Sequence, residues 1–125
     1  MPRYSKAFSS FSTNDLEAAK KFYGTVLELK ISDKGDIVQL YVGEQEIVIY
    51  PKDNHEPATF TVLNFYVPDI EKEVAVLKQK GISFESYDTP DIKTNEQNIL
   101  IDEEMQMKIA WFKDPAGNIL SLIQG

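Results

Sequence analysis

The feature that most constrains this chain is that its first half is written again in its second. Ser12-Thr13-Asn14-Asp15-Leu16-Glu17 opens a helical pattern after a strand-like stretch, and Tyr66-Val67-Pro68-Asp69-Ile70-Glu71 does the same 54 residues later. A repeat of that period within 125 residues leaves room for two copies of one supersecondary unit and little else.

Each copy can be read element by element. Residues 5–12 alternate like a strand, although serine-rich, and Asn14 is placed as the cap of a helix over residues 15–26, with Glu17 at the reciprocal position. Leu16, Ala19, Tyr23 and Val26 or Leu27 form its apolar stripe, Glu17, Lys20 and Lys21 are expected to face water, and Gly24 is an internal weakness. Short strands follow at 29–32, 37–42 and 46–50, separated by the turns Asp33-Lys34-Gly35-Asp36 and Gly43-Glu44-Gln45. After a proline-containing linker, residues 59–67 read as a strand and 70–80 as a helix with Ile70, Val74 and Leu77 on one face, closed by Gly81. Strands at 83–87, 107–113 and 119–123 complete the second copy. The segment 88–106, where the copies differ in length, carries Ile99, Leu100, Ile101 and Met105; it reads as an extra strand at 98–102 or as a lid.

The order is therefore β-α-β-β-β twice. Such a unit covers one sheet face with its helix and leaves the other bare, so two units are expected to form one α+β domain over residues 1–125. The first module spans about 1–51, the linker about 52–57 and the second module about 58–125. A ferredoxin-like sandwich has too few strands for this pattern.

The paired openings, together with Trp111-Phe112-Lys113-Asp114-Pro115-Ala116-Gly117-Asn118-Ile119-Leu120-Ser121-Leu122-Ile123-Gln124 read as strand, tight turn and closing strand, resemble the vicinal oxygen chelate superfamily. That family includes glyoxalase I, extradiol dioxygenases, fosfomycin resistance enzymes and bleomycin-binding proteins. The resemblance implies a cup-shaped sheet made by two βαβββ modules and a homodimer. In metal-dependent members each module supplies two ligands to a divalent ion, which acts as a Lewis acid on the substrate. Carried onto this sequence, the positions are Phe8, Ile47 or Ile49, Val62 and Ser121, none of them a competent metal ligand. Residues one step away, such as Ala7, Thr61, Leu63, Leu120 and Leu122, are no better.

Strand alternation from these positions instead gives a lining of Phe8, Ser10, Ser12, Ile49, Val62, Asn64, Tyr66, Ile119, Ser121 and Ile123, with Trp111 as an aromatic wall. Apolar surface with a few neutral hydrogen-bonding groups is the make-up of an organic-ligand pocket. The competing reading is a filled core, against which Asn64 and Tyr66 weigh because a buried amide and phenol need partners. His55, the only histidine, reads as an exposed linker residue, and Asp102-Glu103-Glu104 as a solvated turn rather than a calcium loop. Asp114, Pro115, Gly117 and Asn118 read as turn chemistry.

Composition removes other classes. Without cysteine there is no thiol catalysis, thiolate zinc site or disulfide. A net charge of −7 with a single arginine, Arg3, argues against nucleic-acid binding; it suits a cationic ligand or simply keeps the chain soluble. No signal peptide or membrane-length apolar run is visible, so a cytoplasmic protein with no membrane partner is expected. The expectation for function is a metal-free, cofactor-free protein of the glyoxalase/bleomycin resistance type that binds a small organic molecule. The alternatives are a glyoxalase-like lyase, isomerase or transferase holding a divalent metal through unusual ligands, and an interaction module with a filled cup.

Overall fold

The computed structural model describes residues 3–125. The chain divides into two compact units, Met1–Pro57 and Ala58–Gly125, each built on one four-stranded mixed sheet. The first contains β1 (Ser9–Thr13), α1 (Leu16–Lys20), β2 (Lys30–Asp33), β3 (Val38–Val42) and β4 (Gln45–Pro51), in the sheet order β1-β4-β3-β2. The second contains β5 (Thr61–Tyr66), α2 (Ile70–Gln79), β6 (Leu100–Asp102), β7 (Met107–Lys113) and β8 (Ile119–Gln124), in the order β5-β8-β7-β6. In both units the first strand runs parallel to the last, while the other pairs are antiparallel. This is the α+β architecture of two βαβββ modules.

Both helices begin by the same device at the repeat spacing. Asp15 is extended (φ −148°) and its carboxylate accepts from the Ala18 N–H at 3.1 Å; Asp69 (φ −145°) accepts from the Lys72 N–H at 3.2 Å. The expected cap, Asn14, is displaced by one residue. The Thr13 hydroxyl bonds the backbone of Asp15 at 3.2 Å, which spends Asn14 on the turn out of β1.

The first helix does not stay α-helical. From Lys21 to Val26 it widens into a π-helix, with the Leu27 N–H donating to the Phe22 carbonyl five residues back at 2.9 Å. Both Phe22 and Tyr23 are thereby buried, their rings edge to face at 5.1 Å. Gly24 faces β2, where a Cβ would lie 2.8 Å from Cδ1 at the flexible end of the Ile31 side chain. Lys20 does not face water as expected; its ammonium is held by Glu17 at 2.8 Å and Asp33 at 2.9 Å. These hydrogen bonds raise the Lys20 pKa, and the Lys20 and Gly35 N–H bonds lower that of Asp33.

In each unit the helix covers one sheet face. Phe11 meets Tyr23 with ring centroids 6.1 Å apart, so Phe11, its partner Ile49 and Val38 beyond it lie on the helix side of the first sheet. In the second, Lys108 reaches Glu71 of α2 at 2.8 Å, and the Gln124 amide oxygen accepts from the Ile70 N–H at 2.8 Å. Lys108, Ala110 and Phe112, with Leu120 and Leu122 opposite, are therefore on the helix side. Burying one apolar side chain of this size stabilises by about 1.5–3 kcal/mol, and these form the core of each unit.

The second sheet departs from expectation at its outer strand. Residues 83–87 do not form a strand; Phe84 makes one antiparallel bridge to Phe112, and the Glu85 N–H donates to the Trp111 carbonyl at 2.8 Å. The chain then leaves the sheet and returns as β6 to pair with Met107 through Ile109. One edge of β7 is thus served by two pieces of chain. Asn98 (φ 68°) staples them together, its amide donating to Ser86 Oγ at 2.7 Å and its carbonyl accepting from Lys78 at 2.8 Å.

The expected punctuation is otherwise present. Gly81 ends α2 with φ 95°, Gly35 turns between β2 and β3 with φ 91°, and Gly117 has φ 85° between β7 and β8. There Asp114 is buried, accepting at Oδ1 from the N–H groups of Ala116 and Asn118, each at 2.9 Å, and at Oδ2 from the Asn118 amide at 3.1 Å.

Candidate functional site

Cross-strand partners share a face, so the ladders assign the lining candidates that lie within them to a side of their sheet. In the second unit Asn64 pairs with Ser121, Ser121 with Trp111, and Tyr66 with Ile123. All alternate away from the helix-side residues Leu120, Leu122 and Phe112, so Asn64, Tyr66, Trp111, Ser121 and Ile123 occupy the helix-free face together. Ser121, with no solvent exposure, donates its hydroxyl to the Asn64 amide oxygen at 2.5 Å. Trp111 is half-buried, and Tyr87 stands against it edge-on, ring centroids 5.4 Å apart at 89°.

Tyr87 was not among the lining residues read from the sequence. It reaches Trp111 because residues 87–94 fold into a small hairpin: the Thr94 N–H donates to the Tyr87 carbonyl at 2.9 Å, and the Tyr87 N–H donates to the Thr94 hydroxyl at 2.9 Å. A hollow of about 350 Å³ lies along this hairpin, lined by Ser86, Tyr87, Asp88, Lys93, Thr94 and Asn95.

Two expectations about this face are corrected. Tyr66 is 85% exposed and Asn64 is exposed as well, because β5 is an edge strand and Tyr66 its last residue; neither is the buried polar group that the filled-core argument required. Val62 lies outside the alternation, in a bulge where Thr61 pairs with Ile119 and Leu63 with Leu120, so it is the extra residue.

In the first unit Ser10 pairs with Val48 and Ser12 with Tyr50, all on the helix-free face. Phe8 lies just before β1 and is 63% exposed. Ile49, expected in the lining, is fully buried on the helix side with Ile47; the residues of β4 that share a face with Ser10 and Ser12 are Glu46, Val48 and Tyr50. An open depression of about 490 Å³ is lined by Lys6, Ala7, Phe8, Gln39, Glu46 and Val48, with Lys6 and Glu46 ion-paired at 3.5 Å.

His55 is not the free linker residue expected. It is half-buried, and its Nδ1 lies 2.6 Å from the Ser12 hydroxyl oxygen. The acidic run at 102–104 ends β6 and opens the turn into β7, with Asp102 Oδ1 accepting from the Met105 N–H at 3.1 Å.

The donor set at the positions implied by the family is poor. With β4 corrected to Val48 or Tyr50, the four are Phe8, Val48 or Tyr50, Val62 and Ser121, and the Ser121 hydroxyl is engaged by Asn64. No group of three or more histidine, aspartate or glutamate side chains gathers to hold an ion among the described residues. These residues do not fit the nitrogen and carboxylate coordination of a divalent metal. No described helix is long and apolar enough to cross a membrane.

Sheet order, repeated helix openings and closing hairpin together define a known family. The chain belongs to the Glyoxalase/Bleomycin resistance protein/Dioxygenase superfamily, whose model matches residues 8–122. Solved structures carry the same fold. Lactoylglutathione lyase from Agrobacterium tumefaciens is similar with a TM-score of 0.66 and 20% identity, over 99% of this chain and 96% of that one. A glyoxalase family protein from Enterococcus faecalis is similar with a TM-score of 0.66 and 22% identity, over 97% of each chain. A glyoxalase/bleomycin resistance protein/dioxygenase from Alicyclobacillus acidocaldarius has a TM-score of 0.67 and 21% identity, over 98% of this chain and 94% of that one. Comparison with curated proteins found no match.

Proposed function

We propose that this chain is a metal-free member of its superfamily that binds a small organic molecule, with Trp111 at the centre of the binding surface. The observation that carries this reading is the helix-free face of the second sheet. An aromatic pair, Trp111 and Tyr87, stands beside the Asn64–Ser121 hydrogen bond and the exposed Tyr66 phenol. A flat apolar wall with few neutral polar groups recognises organic ligands by stacking and orients them by hydrogen bonds. The metal-free part rests on the donor chemistry of Phe8, Val62 and Ser121. The absence of cysteine and the ordinary soluble-type composition support a cytoplasmic location, and the family resemblance supports a homodimer acting as one domain per chain.

Trp111 is the only tryptophan, so intrinsic fluorescence reports on the proposed surface directly. In a screen of aromatic and amphipathic small molecules, a binder is expected to quench or shift this emission saturably, with the same affinity before and after exhaustive chelation. Tyr66→Ala, read by the same emission, and Trp111→Ala, read by calorimetry, are expected to weaken binding about tenfold or more, as loss of an aromatic contact implies. Binders that leave the Trp111 emission untouched and bind Trp111→Ala normally would refute the assignment. The second reading, a lyase, isomerase or transferase with unusual ligands, draws on superfamily membership. It requires turnover that chelation abolishes.

A further inference from the structure

We propose that Ser12 and His55 form a nucleophile–base pair on the first sheet, reactive towards small activated acyl esters. The pair is assembled by backbone pairing. Parallel pairing of β1 with β4 sets Ser12 opposite Tyr50 and Thr13 opposite Pro51, and the Lys52 N–H extends the ladder by donating to the Thr13 carbonyl at 2.9 Å. The chain then turns, the His55 N–H donating to the Lys52 carbonyl at 3.1 Å. That turn brings the imidazole to Ser12, with Nδ1 2.6 Å from Oγ across 43 positions of sequence.

This distance lies within the range in which a base takes a hydroxyl proton directly. In the tautomer protonated at Nε2, Nδ1 accepts the Ser12 hydroxyl proton. Both residues are half-buried, so the pair is partly shielded from bulk water. Ser10 and Tyr50 share the same sheet face; Tyr50, 38% exposed and directly opposite Ser12, offers apolar surface to an acyl or aryl group.

The reaction balances without a further co-reactant than water. Ser12 Oγ bonds to the ester carbonyl carbon as its proton passes to His55 Nδ1, the carbon–oxygen bond to the leaving group breaks, and the alcohol or phenol departs with that proton. Water, deprotonated by His55, then cleaves the Ser12 ester, releasing the carboxylic acid and restoring the hydroxyl.

The test uses the full chain with p-nitrophenyl acetate, following p-nitrophenolate release and locating acetyl groups by peptide mass spectrometry at short times. Ser12 is expected to acetylate at least about tenfold faster than Ser9 or Ser10 of the same strand, and Ser12→Ala and His55→Asn to lose most of the initial release. Acetyl groups confined to lysines, or Ser12 labelled at the same rate in His55→Asn, would overturn the proposal and leave the contact as a clamp on the linker. Should Ser12→Ala or His55→Asn fail to fold, Ser12→Cys carries the test through alkylation by iodoacetamide. At least about a tenfold excess over free cysteine is expected from pairing with the imidazole, and an ordinary rate would refute it.

Discussion

The two units begin alike and end differently. Each opens with an edge strand, an aspartate-capped helix and an arrangement in which the first strand lies beside the last. They diverge at the outer strand and at the closing turn. The first unit joins β3 to β4 by a short turn in which Gly43 adopts φ 59°. The second closes β7 and β8 around buried Asp114, and its outer strand is interrupted by the excursion that delivers Tyr87 to Trp111. The shared parts are those any copy of the module needs in order to fold. The helix-free faces differ as well, carrying Ser12 and His55 in one unit and Trp111 and Tyr87 in the other.

The largest effect that separates the units is expected at their turns. Asp114→Ala removes three hydrogen bonds from a buried carboxylate and leaves polar groups without an acceptor, for a loss of about 2–4 kcal/mol in denaturant unfolding. Glu44→Ala, in the exposed turn of the first unit, is expected to cost within about 0.5 kcal/mol. Similar losses at both would erase the distinction drawn between the turns.

Next comes the part held in common. Asp15→Ala and Asp69→Ala each remove one N-cap and are each expected to cost about 1 kcal/mol, with Asn14→Ala costing clearly less. A larger loss at Asn14 than at Asp15 would restore the cap position read from the sequence. Gly24→Ala would bring a Cβ within 2.8 Å of Cδ1 at the flexible end of Ile31; the helix-propensity gain of about 1 kcal/mol offsets the displacement of that methyl, so the net change is expected to stay within about 1 kcal/mol. A loss above about 2 kcal/mol would mean that the Ile31 side chain cannot move aside.

The smallest effect is electrostatic. The Lys108 hydrogen bond holds the Glu71 carboxyl below its ordinary pKa. A carboxylate with a lowered folded-state pKa contributes its stability above the unfolded value and loses it as pH falls through the folded one. Glu71→Gln is therefore expected to lower Tm by no more than about 4 °C at neutral pH, and the gap to the unmodified chain should close in acid below about pH 4. A gap that persists unchanged in acid would mean that the residue acts through packing rather than charge.

Local chemistry was legible in the sequence, and long-range pairing was not. Gly81, Gly117, Asp114 and the 54-residue spacing of the helix openings announced themselves, because each depends on residues within a few positions. The side of β4 that faces the helix did not. Ile47-Val48-Ile49 is apolar on both parities, and only the pairing of Ile49 with Phe11 decides it. The outer strand of the second sheet was legible only in part: the extra strand expected at 98–102 is β6, while the strand expected at 83–87 does not form. The sequence around Phe84 has strand-like composition, but Leu100 and Ile101 take the ladder positions beside Met107 through Ile109. His55 could not be connected to Ser12 because that contact follows from a parallel ladder joining distant segments.

Whether this member of the superfamily binds its ligand without a metal is read from the metal content of untagged protein purified without chelator. For a metal-free binder, folded protein with well under one equivalent of zinc, nickel, manganese or iron per chain is expected. Close to one tightly held equivalent per chain would contradict it and place the lyase, isomerase or transferase reading first.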